Sequence, residues 1–148
     1  MKTLIYGYGN PGRQDDALAN LIIERIEKER LKGNFPQVDT DSNYQLNIED
    51  AELISNYDRV IFVDASTEDI DDIKFTRVEP SDAKVEFTMH AVSPAFVLDL
   101  CRKLYGRQPE VYLLHIRGYE WDFMLAPSGR AKENLEKAYT FLKEWLQK

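Results

Sequence analysis

The side chains best equipped for chemistry are three aspartates and two histidines. Asp15 and Asp16 follow a glycine-bearing stretch, Gly7-Tyr8-Gly9-Asn10-Pro11-Gly12, and Asp64 ends the apolar run Val60-Ile61-Phe62-Val63. His90 lies in a polar stretch just before Ser93-Pro94, and His115 lies inside Val111–Ile116. Carboxylates are hard ligands and imidazole a borderline one, so two acids and one histidine suit nickel, zinc or iron with positions left open. Each residue also has a plainer role. Asp15 and Asp16 stand at a helix start, where capping and the helix dipole each contribute roughly 0.3–1 kcal/mol. That account is sufficient for Asp15; for Asp16 it is weaker, because a second acid adds like-charge repulsion. Asp64 would be costly to bury without a partner. It is read either as an acceptor for the turn at Ser66-Thr67 or as a ligand. His90 is a loop-packing side chain or a ligand, whereas His115, in mid-strand, is structural.

Gly7-x-Gly9-x-x-Gly12 also matches the dinucleotide fingerprint, which makes a nucleotide-binding module the alternative function. That fingerprint aims backbone N–H groups and a helix N-terminus at a pyrophosphate, which Asp15 and Asp16 would repel. Asp39 or Asp41 is left as the acid for a ribose, and no nucleotide cofactor is expected. Other nucleophile arrangements are poorly supplied. Cys101 falls within a helix as a buried thiol, no Gly-x-Ser-x-Gly elbow exists, and Ser128-Gly129 opens the final helix. Tyr119, Trp121 and Phe123, after the last strand, are either core or the wall of a peptide groove.

The elements that must position these residues follow from hydrophobic patterning. Leu4-Ile5-Tyr6 reads as a buried strand, and Leu18, Leu21, Ile22 and Ile26 repeat at helical spacing from Asp15 to Gly33-Asn34. Phe35–Thr40 is expected as a second strand and Ile48–Ser55 as a short helix. Asp58–Asp64 gives the clearest strand, its four consecutive apolar residues implying burial on both faces. Ile73–Val78 alternates like an edge strand, and 79–89 is polar loop. Ser93-Pro94 starts a helix running to Gly106, Val111–Ile116 is a strand, and Pro127–Gln147 a long amphipathic helix. The order β-α-β-α-β-(β)-α-β-α implies a three-layer α/β/α sandwich around a mostly parallel twisted sheet of about five strands. Ligands of such sheets gather outside the carboxyl ends of the strands, which singles out Gly7–Asp16 and Asp64–Thr67.

Composition narrows the setting. The 148 residues fit one domain, 1–148, with 43% hydrophobic and 30% charged residues, and are too few for separate nucleotide and substrate domains. A net charge of −7 argues against a nucleic-acid partner and against an anionic membrane surface. One cysteine precludes an internal disulfide, no segment reaches the ~20 apolar residues of a bilayer span, and the N-terminus turns polar too early for a signal peptide. A cytoplasmic setting is expected.

Gly7-x-Gly9-Asn10-x-x-x-x-Asp15-Asp16 resembles the opening of the nickel–iron hydrogenase maturation proteases. Val60–Ala65 is similar to the family's central strand ending in aspartate, His90-Ala91-Val92-Ser93-Pro94 to its histidine-bearing segment, and Ile116-Arg117-Gly118-Tyr119 to a later one. The likeness runs in order across nearly the whole chain. It implies a phosphorylase/hydrolase-like fold and an endopeptidase that trims the C-terminus of a hydrogenase large-subunit precursor after nickel insertion. It further implies a metal-binding, catalytic trio at Asp16, Asp64 and His90, with nickel supplied by the precursor. Three positions depart from the pattern: Ala17 and Ala19 where glycines are common, and Gln14 where a glycine often precedes the acids. They motivate a further possibility, a metal-binding accessory protein without peptidase activity. No oligomeric state is assigned.

Overall fold

The computed structural model describes residues 1–82 and 92–147. Strand β1 (Thr3–Tyr8) leads through the glycine stretch into a 3-10 turn (Gln14–Ala17) and helix α1 (Leu18–Leu31). Strand β2 (Val38–Asn43), helix α2 (Asp50–Ile54), strand β3 (Arg59–Ser66) and strand β4 (Ile73–Val78) follow. Helix α3 (Pro94–Tyr105), strand β5 (Glu110–Arg117) and helix α4 (Gly129–Leu146) complete the order. The strands form one sheet in the order β2-β1-β3-β5-β4, parallel except for β4, which runs antiparallel to β5 at the edge.

Val60, Ile61, Phe62 and Val63 are all fully buried because β3 is covered on both faces. Val60 and Phe62 pack with Leu4 and Tyr6 under α2 and α3, against Ile54, Val97 and Leu98. Ile61 and Val63 join Ile5 and Leu114 under α1 and α4, against Ile22, Ala138 and Leu142. Burying each large apolar side chain contributes roughly 1.5–3 kcal/mol, so the two cores clamp the sheet between helical layers. Among the described residues no helix is long and apolar enough to cross a membrane.

Local signals account for most boundaries. The Ser93 hydroxyl accepts from the Phe96 N–H at 3.1 Å, Pro94 opens α3, and Gly106 closes it at φ 66°. Cys101 is buried inside this helix. Most boundaries shift by one or two residues from the sequence expectation, and two element starts shift by three. The second strand begins at Val38 rather than Phe35, because Phe35 adopts φ 53° and its carbonyl accepts from Val38 N–H in a turn through Pro36. The ladder from Thr3↔Val38 to Tyr8↔Asn43 then draws the polar Asp39–Asn43 into the edge strand. At the first helix, the paired acids occupy the 3-10 turn, and regular α-helix starts only at Leu18.

β1 leads through α1 to β2 on one side, whereas β3 leads through β4 and α3 to β5 on the other, and α1 and α3 cover opposite faces. The carboxyl ends of β1 and β3 therefore make a topological switch point, the place where an open α/β sheet leaves a crevice. Tyr8 and Asp64 are register partners there.

Candidate functional site

Asp64 emerges at this switch point on the α2/α3 side of β3, beside Tyr8 of β1 and His115 of β5, its partners in register. The 3-10 turn lies against the same strand end and brings Asp16 within electrostatic reach of it. Burial, and then the charge of Asp16, push the Asp64 carboxyl from its ordinary 3.8 up to about 7. Hydrogen bonds from the Ala65 N–H and the Tyr8 hydroxyl offset part of that rise. The turn at the strand end is served by Ser66, whose hydroxyl accepts from Glu68 N–H at 3.1 Å, so it does not require Asp64.

Asp16 is fixed from two sides. Its Oδ2 accepts from Asn10 N–H at 3.0 Å, and its own N–H donates to the Arg13 carbonyl at 2.9 Å. Gly9 makes this possible: a Cβ there would lie 2.3 Å from the Asp16 carbonyl oxygen. A Cβ at Gly7 would lie 2.8 Å from the Ala19 carbonyl oxygen and 2.7 Å from Ile23 Cγ1. The spacing Gly7-x-Gly9 is thus accounted for by the chain's approach to its own helix. Gly9→Ala is expected to lower stability by about 2 kcal/mol or more, since backbone must shift and the new residue is strained. Urea unfolding measures this, and loss of Asn10 amide protection would accompany it.

Asp15 serves a different purpose. It is completely buried and caps nothing in its own helix. Instead it accepts from Tyr119 N–H (2.6 Å), Glu120 N–H (2.9 Å), Ser128 N–H (2.7 Å) and the Ser128 hydroxyl (2.8 Å). Burial alone would push its carboxyl up; the bonds from Tyr119, Ser128 and Glu120 prevail and hold it below the ordinary value. The dipole that favours this carboxylate belongs to α4, whose N-cap is Ser128.

His90 lies outside the described residues. Among those described, no group of three or more His, Cys, Asp or Glu side chains is placed to hold a metal ion. The structure therefore brings Asp16 and Asp64 together and sets Asp15 apart. His115, partly buried in β5, has its imidazole pushed down chiefly by burial. The aromatic cluster divides: Tyr119 and Trp121 pack against the core, whereas Phe123 is 68% exposed, beside Met124 at 90%. Sequence reasoning missed Tyr8; it placed Ser128 at the start of the final helix, which it does cap, but missed its bonds to Asp15. The only signal for Tyr8 was parity, since Tyr6 and Tyr8 share a strand face with Phe62 and Asp64.

Gln14, one of the departures from the family pattern, stands at φ 41°, a left-handed conformation that favours glycine. Its side-chain carbonyl accepts from Asp122 N–H at 3.0 Å, and this bond helps hold the turn in place.

No family model matches the chain, and no curated protein matches it in sequence. Solved structures do match in fold. The hydrogenase maturation protease HycI from Thermococcus kodakarensis KOD1 superposes with a TM-score of 0.75 at 22% identity, covering 99% of this chain and 93% of its own. The hydrogenase maturating endopeptidase HybD from E. coli gives 0.74 at 19%, again covering 99% and 93%. A hydrogenase 2 maturation peptidase from Thaumarchaeota archaeon SCGC_AB-539-E09 gives 0.71 at 20%, covering 99% of both chains. The α/β architecture is the one these proteins share.

Proposed function

We propose that this chain is an endopeptidase of hydrogenase maturation, removing the C-terminal extension of a nickel–iron hydrogenase large-subunit precursor after nickel insertion. The observation that carries this function is the pairing of Asp16 with Asp64 at the switch point of a fold matched nearly end to end by HycI and HybD. Asp64, pushed up to about 7 by burial and then by the charge of Asp16, is a carboxyl whose ionised form a divalent cation between the two acids would favour. The nickel is part of the substrate. Asp16 and Asp64, with His90 as the third ligand implied by the sequence resemblance, grip it and so bring the scissile peptide to the carboxyl ends of β1 and β3. A water beside the ion gives its proton to a carboxylate and attacks the peptide carbonyl. The C–N bond then breaks as the proton passes to the leaving amine. The setting is cytoplasmic, and neither nucleic acid nor membrane is a partner.

Incubating nickel-loaded precursor with wild type, Asp16→Ala and His90→Ala tests the proposal. Trimming by wild type is expected, with both variants slower by about 100-fold or more. Equal trimming by all three would show the site to be elsewhere. Metal binding by a wild-type protein that never trims would assign the accessory role instead. In a thermal-shift assay nickel or cadmium is expected to raise the melting temperature, and NAD or ATP to leave it unchanged.

A further inference from the structure

We propose that Asp15 is a positioning residue, which sets the place of Asp16 by locking the 3-10 turn to the segment 118–128 after β5. The inference rests on the cleavage function proposed above only for its kinetic consequence; the lock itself is read from geometry.

Asp15 is the centre of the junction. Its carboxylate takes four hydrogen bonds from Tyr119, Glu120 and Ser128, and its own N–H donates to the Glu120 carbonyl at 3.1 Å. The approach is close: a Cβ on Gly118 would lie 2.9 Å from Asp15 Cβ, so only glycine leaves space for it. Neighbouring residues repeat the connection. Met124 N–H donates to the Gly12 carbonyl at 2.9 Å, Arg13 Nε to the Trp121 carbonyl at 3.1 Å, and Asp122 N–H to Gln14. Two non-glycine residues with positive φ, Gln14 at 41° and Met124 at 65°, belong to the two segments joined here. Such conformations persist only where the surroundings over-determine them. Asp16 is the next residue along the clamped backbone, and its Asn10 bond points the other way, to the glycine stretch. The turn is therefore fastened at Asp15 and presents Asp16.

Charge is essential to the fastening. A carboxylate offers only acceptors, and every group aimed at Asp15 is a donor. In Asp15→Asn an NH2 would confront N–H groups at nearly unchanged size. Amide hydrogen exchange on the full chain reads the result, and the Asn10 N–H reports directly on Asp16. Exchange at Tyr119, Glu120, Ser128 and Asn10 is expected to quicken by about 10-fold or more, while Val97 and Cys101 in α3 keep their protection. With nickel-loaded precursor, kcat is expected to fall by about 10-fold and KM to stay within about 3-fold.

Faster exchange at Tyr119, Glu120 and Ser128 with Asn10 at its wild-type rate would overturn the proposal, leaving Asp15 as a loop anchor. Equal acceleration in α3 would overturn it too, as general destabilisation. If Asp15→Asn does not fold, Ser128→Ala removes one of the four bonds together with the α4 cap, and about 3-fold acceleration at Tyr119, Glu120 and Asn10, which lie outside that helix, is then required. A wild type that cleaves no precursor refutes the endopeptidase function, whereas the exchange pattern still decides the role of Asp15.

Discussion

Asp64→Asn is expected to be more stable than the wild type at pH 8, by about 2–4 kcal/mol, and nearly equal to it at pH 4. In the unfolded chain Asp64 ionises near 3.8, and in the folded protein near 7. Between those values the folded state holds more protons than the unfolded one. Unfolding free energy therefore falls as pH rises, by up to about 1.4 kcal/mol per pH unit, and levels off above the folded value. Asparagine keeps the size of the side chain and an acceptor for the Tyr8 hydroxyl, yet has no charge to desolvate or to set against Asp16. Guanidinium unfolding at pH 4, 6 and 8 measures the difference. A gap of the same size at all three would mean that the strand-end carboxylate is not under electrostatic strain. Nickel or cadmium at pH 8 is expected to restore stability to the wild type and do little for the variant. A group that weakens the fold at working pH is characteristic of a site kept for chemistry.

Asp16→Ala and Asp64→Ala are each expected to lower kcat/KM for nickel-loaded precursor by about 1,000-fold, equivalent to roughly 4 kcal/mol of transition-state stabilisation. The double variant is expected to be little slower than either single one, since two carboxylates that grip one ion act as a unit. Quantifying trimmed precursor over time with all four proteins makes the comparison. Additive losses, multiplying to about a million-fold, would mean that the two acids work separately.

How far this arrangement is legible in the sequence depends on the range of the contacts. Val60-Ile61-Phe62-Val63 announces a doubly covered strand because burial on both faces needs only local apolarity. Ser93-Pro94 announces a helix start because capping is satisfied within three residues. β2 is less legible: its only buried residue is Val38, and pairing with β1, not side-chain pattern, decides that Asp39–Asn43 extend. The aspartates show both limits. Asp64 stands out as an acid at the end of an apolar run. Asp15 and Asp16, adjacent and chemically identical, are separated in role by partners more than 100 residues further along, as the 104-residue span to Tyr119 shows. Local capping rules give Asp15 a structural role but assign it to the wrong helix.

That separation also orders events during synthesis. Ser128 lies 113 residues beyond Asp15, so at about 5–20 residues per second it is made roughly 5–20 s later. Until then Asp15 stays hydrated and the turn bearing Asp16 has nothing to close against. β3, too, lacks β5 along one edge, and such distant pairings form slowly. The acid pair is thus among the last features to be assembled, and a nascent chain that has already formed β1 and α1 does not yet possess it.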